Sequence, residues 1–382
     1  MGWTNMARRR AARLGQMLAF CMGLVALPAA AQPLVLGQIG PFTGIPVPDA
    51  IEVNQGVKAF IAQVNAMGGV RGQRVEFFQA DDRYTADGFR EQFKLAQDKK
   101  PVALLSPVGS AALAAMLKDK LLDDGDTIIM NAIPGAESLR NPGHPKLFHI
   151  RAGDKQQIEK LVNHARTLGM TRLAVLHQDI PVGVSGMAMA KAEAERVKGL
   201  ELTDVQASKE AASLADASAK IAKVNPQGVL VLGAPPFMAD GVAALRKAGV
   251  SQWIFVLSYV PAQLIVKLAG PQGARGVGIA QTYPNPNGKA MPMMREFQAA
   301  MRAAHPDIKE YTPFQLEGYL SARIVVDALR RSRERGSASL ISALRGMGEI
   351  DLGGFRVDFS KGNVGSNFVD IGVIASDGKL KY

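Results

Sequence analysis

The sequence predicts an α/β protein made of two doubly wound parallel-sheet lobes. Short apolar strands alternate with amphipathic helical segments along most of the chain, the pattern of parallel sheets covered on both faces. The rhythm breaks near Arg151-Ala152-Gly153 and then restarts, which makes two such runs. The length of 382 residues suits two domains of roughly 150 residues each.

In chain order, Leu34–Ile39 reads as the first strand. Val53, Val57, Phe60, Ile61 and Val64 then recur at helical spacing up to a left-handed stop at Gly68-Gly69. Val75–Ala80 is the next strand, with Phe89 and Phe93 on the helix behind it; Val102–Leu105 and Ile128–Met130 follow, separated by a helix carrying Leu113, Met116, Leu117 and Leu121. After the break, Ile158, Leu161, Val162 and Ala165 mark a helix stopped by Gly169. Strands follow at Leu173–Leu176, Val229–Leu232 and Ile254–Leu257, and helices at about 237–248 and 261–269. Thr312-Pro313 starts a long helix with Leu316, Leu320 and Ile324 inward. The tail shifts to turns at Gly353-Gly354, Lys361-Gly362-Asn363 and Asp377-Gly378 between short strands.

The first thirty-one residues stand apart. Arg8, Arg9, Arg10 and Arg13 precede an apolar run, Leu14 to Leu27, which ends at Pro28 and Ala29-Ala30-Ala31. That is the order of a secretory signal peptide, with cleavage after Ala31. The competing reading, an uncleaved anchor, meets a run short for ~30 Å of hydrocarbon and interrupted by Gln16. Cleavage removes four arginines, lowering the net charge from +11 to +7, and also removes Cys21, the only cysteine. A disulfide scaffold is excluded, and a cysteine-free exported chain has nothing to oxidise. Lys and Arg are scattered rather than striped, which argues against nucleic acid as a partner.

Catalytic constellations are incomplete. Gly183-Val184-Ser185-Gly186 has Met187 where a nucleophile elbow needs its second glycine, and Gly276-Val277-Gly278 lacks the third glycine of a dinucleotide loop at Gln281. His144, His149, His164, His177 and His305 show no metal-ligand spacing, so neither a metal nor another cofactor is expected. Asp81-Asp82 suits bracing of the following turn better than acid chemistry. What remains is a set of small-residue loops at strand ends: Ser106–Ala111, Asn131–Ala136, His177–Gly186, Gly233–Pro236 and Ser258–Pro261. Open α/β sheets bind ligands outside the carboxyl ends of their strands, where helix starts offer free N–H groups.

Leu34-Val35-Leu36-Gly37-Gln38-Ile39-Gly40-Pro41-Phe42-Thr43-Gly44, Val64-Asn65-Ala66-Met67-Gly68-Gly69-Val70-Arg71-Gly72 and the Asp81-Asp82 strand end together resemble the type I periplasmic solute-binding proteins of ABC transporters, in their branched-chain amino-acid branch. The resemblance spans the mature chain. It implies two lobes joined by three crossover segments, a solute in the cleft between them, a membrane permease as partner and a periplasmic location. With the crossovers near Ala152, Tyr283 and Gly354, the first lobe takes 32–152 plus 283–354, and the second 153–282 plus 355–382. The same lobes would serve a sensor reporting to a membrane receptor. A third reading is an enzyme on a similar scaffold.

The resemblance also implies where the solute sits. The loop that holds a ligand carboxylate corresponds to Val108-Gly109-Ser110, with glycine in place of the usual serine. A second loop corresponds to Ile133-Pro134-Gly135, with Gly135 in place of a threonine. Val182 and Ala234 stand where aromatics are expected, and Ser258 where an acidic residue would neutralise a ligand ammonium. Burying an ammonium without a counter-charge costs several kcal/mol, so an ordinary α-amino acid fits poorly. These substitutions predict a less polar, roomier cleft walled by Phe42, Tyr259 and Tyr283. Its solute would be a small organic acid, aromatic acids included, or an amino-acid-like solute, with its carboxylate held by backbone N–H groups around Gly109, Ser110 and Gly135.

Overall fold

A computed structural model describes residues 33–44, 49–334 and 336–382. The leader and its cleavage point lie outside these residues. The first run of elements is β1 (Leu34–Gly40), α1 (Asp49–Ala66), β2 (Val75–Asp81), α2 (Ala86–Gln97), β3 (Ala103–Leu105), α3 (Ser110–Lys118), β4 (Ile128–Met130) and β5 (Leu147–Phe148). The second is α4 (Asp154–Thr167), β6 (Arg172–Gln178), α5 (Pro181–Val197), β7 (Glu201–Ala207), α6 (Ala211–Val224), β8 (Gly228–Leu232), α7 (Pro235–Lys247), β9 (Trp253–Val256), α8 (Ala262–Ala274) and β10 (Val277–Gln281). The remainder is α9 (Pro292–Ala304), α10 (Pro313–Arg331), α11 (Ser337–Gly346), β11 (Glu349–Asp351), β12 (Arg356–Asp358), β13 (Asp370–Ile374) and β14 (Leu380–Lys381).

The strands form two main sheets, ordered β2-β1-β3-β4-β5 and β14-β13-β10-β9-β8-β6-β7. The first sheet is parallel throughout. In the second, the tail strands β13 and β14 add antiparallel to the edge beyond β10. Both sheets are covered on two faces. Alternation along β1 turns Leu34 and Leu36 toward α1, α9 and α10, and Ile39 toward Phe89 and Phe93 of α2. A separate core around Val175, Leu230, Val242 and Ile254 fills the second lobe.

The chain passes between the sheets three times. It leaves the first after β5 and leaves the second after β10, returning in α9–α11 to the first core. Phe355, Val357 and Phe359 are buried in that first core, and the last passage runs from there to β13. That crossing lies later than the Gly354 boundary read from sequence, because the hairpin of β11 and β12 turns its apolar face inward before the chain departs. Local signals hold where expected: Thr312 caps α10 in a reciprocal box with Gln315, and Thr85 caps α2.

Candidate functional site

At the carboxyl ends of the two sheets, the Asn131–Ala136 loop of the first meets the Ser258–Pro261 loop of the second, with Gly135 against the Tyr259 hydroxyl. On the first-sheet side, the Asp81 carboxylate at the end of β2 accepts the N–H groups of Phe42 (3.0 Å), Thr43 (3.2 Å) and Arg83 (3.0 Å) and the Thr43 hydroxyl. Burial is the largest single influence and pushes its pKa up, but these four bonds together outweigh it and hold Asp81 below its ordinary pKa. Asp82 accepts the Tyr84 N–H at 2.8 Å, and burial raises its pKa to about 6. The acid pair therefore braces two loops, as its sequence setting suggests.

Gly109 precedes α3 with φ +100°, a conformation that disfavours any side chain bearing Cβ. No side chain caps that helix, and its first-turn N–H groups have no intrahelical partner. Ser110 is exposed beside them. Phe42 is half-buried next to β1, while Ile133 is 3% exposed and belongs to the core. In the second lobe, Val182 sits in the first turn of α5, and the N–H of Ala234, before α7, donates to Gln178 at 2.9 Å.

The floor is a buried polar network centred on Arg151. Its guanidinium donates to Glu317 Oε2 on α10 at 2.5 Å and to the Ser258 hydroxyl beyond β9 at 2.6 Å. It lies over the Tyr259 ring (4.9 Å) and the Phe314 ring (5.4 Å). Asn131 accepts the N–H groups of Ile150 and Arg151 and donates to Glu317, Tyr283 and Ser321. Burial, the largest single influence, opposes the charge on Arg151, but Glu317, Tyr259 and Tyr283 together outweigh it and hold the guanidinium pKa above its usual value. Both donors of Ser258 are used, its N–H and hydroxyl going to Gln157 Oε1 (3.0 and 2.8 Å), and its hydroxyl oxygen accepts Arg151.

Tyr259 closes the other side of this floor. Its hydroxyl donates to Asp154 Oδ1 at 2.5 Å, and a Cβ placed on Gly135 would overlap both groups. Arg140 fixes the Gly135 loop by donating to the carbonyls of Pro134 (3.3 Å), Gly135 (3.3 Å) and Arg151 (3.1 Å).

Two expectations change. The room expected at Gly135 is taken by the Tyr259 hydroxyl and Asp154, so that side of the cleft is not enlarged. Tyr283 is fully buried, its hydroxyl engaged by Asn131 and Glu317, and it supports the floor instead of walling the cleft. Sequence reasoning marked Arg151 only as the break between two runs; an arginine directly after a buried strand was the signal for its role. Two surface hollows, of about 530 and 460 Å³, lie elsewhere and are lined by none of the ten residues singled out in sequence. Among the described residues no cluster of His, Cys, Asp or Glu could hold a metal, and no helix is long and apolar enough to cross a membrane.

Residues 33–379 match the family model described as periplasmic binding protein. A Leu/Ile/Val-binding protein homolog 8 from Brucella suis biovar 1 (strain 1330) is 23% identical over 393 residues, covering 96% of this chain and 94% of that protein. The crystal structure of an extracellular ligand-binding receptor from Verminephrobacter eiseniae ef01-2 superimposes with TM-score 0.88 at 56% identity, over 92% of this chain and all of that one. A branched chain amino acid ABC transporter structure from Thermus thermophilus with bound valine gives TM-score 0.77 at 18% identity, over 92% and 94%.

Proposed function

This chain belongs to the periplasmic binding protein family, of the leucine/isoleucine/valine-binding type, and on that premise we propose that it is the exported solute-binding subunit of an ABC importer, carrying a small carboxylic acid to a membrane permease. The family and its structural neighbours are binding proteins, not enzymes. The mechanism has no chemical step. Solute enters the cleft, touches both lobes, and stabilises the closed arrangement through its higher affinity for that state.

The observation that carries the choice of solute is the state of Ser258. It stands at the floor of the second lobe with its hydroxyl between Gln157 and the Arg151 guanidinium. An α-ammonium placed at the Ser258 hydroxyl would meet the Arg151 guanidinium, a like charge that raises the cost of desolvating it. The nearest carboxylates are already engaged, Glu317 by Arg151 and Asp154 by the Tyr259 hydroxyl. The carboxylate end has a ready seat in the uncapped N–H groups of α3 beyond Gly109, where the helix dipole favours an anion.

A thermal-shift panel on the purified leaderless protein, with the twenty amino acids and a matched set of organic acids, tests this reading. Solute at 100 times its dissociation constant adds about 2.7 kcal/mol, so organic acids should raise the melting temperature and leucine should not. A shift with leucine alone would refute the organic-acid assignment. Export with cleavage after Ala31 is read by intact mass of the mature chain, which should begin at Gln32.

A further inference from the structure

We propose that Tyr84 is a specificity-determining residue of the first lobe, presenting its ring over Gly109 as the surface on which a flat, aromatic or conjugated carboxylic acid lies. The inference rests on the interlobe cleft being the solute site and specifies the class of acid.

Tyr84 comes from the loop after β2, but its ring reaches across to the loop after β3. Its Cε2 lies 3.5 Å and its Cδ2 3.8 Å from where a Cβ on Gly109 would stand. The ring therefore covers the mouth of α3, at the carboxyl end of the sheet, in the space a side chain at 109 would enter. It is 48% exposed, much for an aromatic that contributes only packing. Its backbone is also unusual. Arg83 and Tyr84 have φ +52° and +59° in succession, a conformation that residues with Cβ adopt at a penalty. The Asp81 and Asp82 carboxylates pin both N–H groups and hold the loop there. A loop held in strain that exposes a ring beside unpartnered backbone donors is a gripping surface, since strain persists where the surroundings enforce it.

Gly109 puts no side chain beside the Tyr84 ring, and on the proposed second-lobe side Val182 and Ala234 are small and apolar. A flat acid can lie with its ring against Tyr84 in an offset or edge arrangement while its carboxylate reaches α3. Burial together with the nearby Asp49 and Asp82 carboxylates raises the phenol pKa, so Tyr84 stays neutral beside an anion.

Calorimetric titration of the purified leaderless protein with benzoate, trans-cinnamate, cyclohexanecarboxylate, hexanoate and leucine tests this directly. Wild type should bind the better of the two flat acids at least tenfold more tightly than cyclohexanecarboxylate. Tyr84→Phe should keep that ratio, and Tyr84→Ala should abolish it while changing cyclohexanecarboxylate binding less than threefold. Tyr84→Gly, which accepts the positive φ, should lose the ratio yet melt within about 3 °C of wild type, separating recognition from folding. Equal binding of flat and saturated acids, or a ratio surviving Tyr84→Ala, would overturn the inference and leave the solute-binding reading standing. Binding of leucine alone, or of none of the five, would overturn both the inference and the carboxylate assignment beneath it.

Discussion

The Tyr259 hydroxyl stands where a side chain on Gly135 would have to be, bonded to Asp154 at 2.5 Å. Tyr259 follows β9 of the second sheet and Gly135 follows β4 of the first, so the missing side chain is a socket for a residue from the other lobe. A methyl group there would push Tyr259 out. Gly135→Ala should lower stability by about 1–3 kcal/mol and weaken solute binding at least tenfold. In a double-mutant cycle by chemical denaturation, adding Tyr259→Ala to Gly135→Ala should cost clearly less than the two losses summed. Additive losses would show that the two sites are independent.

Arg151 and Glu317 form a fully buried ion pair, at 1% and 0% side-chain exposure. Removing one partner strands the other. Arg151→Met should destabilise the protein by about 3–5 kcal/mol, and combining it with Glu317→Gln should recover part of that loss. Urea unfolding of the three variants is the measurement. A double variant as unstable as the sum of the singles would contradict a paired role.

Glu52 in α1 accepts the Thr312 hydroxyl at 2.8 Å, and burial raises its pKa to about 7. Asp49 beside it is raised to about 6, again by burial. For a carboxyl raised on folding, the native state binds the extra proton, so stability is greatest below the unfolded value and falls as pH rises through the folded one. Melting temperature should therefore decline between about pH 4.5 and 7 on account of these groups. Glu52→Gln, which still accepts from Thr312, should melt above wild type at pH 8 and equal to it at pH 4.5. The same difference at both pH values would refute the assignment.

Much of this architecture could be read from residue order. Apolar strands such as Ile128–Met130 and Val229–Leu232 are wholly buried, and burial on both faces leaves an unmistakable run. The strand β7 (Glu201–Ala207) escaped notice because it is the edge of its sheet, and only Ala207 in it is buried. The helices α6 and α9 went unmarked for a related reason, each burying one face under a mixed surface. The candidate site was read from the sequence only as a set of loops. Its floor was not, since Asn131, Arg151, Ser258 and Glu317 meet only after long separations in sequence. The filling of Gly135 by Tyr259 likewise needed the fold, because a glycine in a sequence does not say what occupies its space.

The central claim is that this cleft holds an acid and rejects its amino counterpart. 3-Phenylpropanoate and phenylalanine share a carboxylate and a ring and differ in the ammonium, so calorimetric titration of both into the leaderless protein isolates that group. 3-Phenylpropanoate should bind at least tenfold more tightly. Phenylalanine binding as tightly or more tightly would mean that Ser258 and Arg151 do not set the polarity of the site.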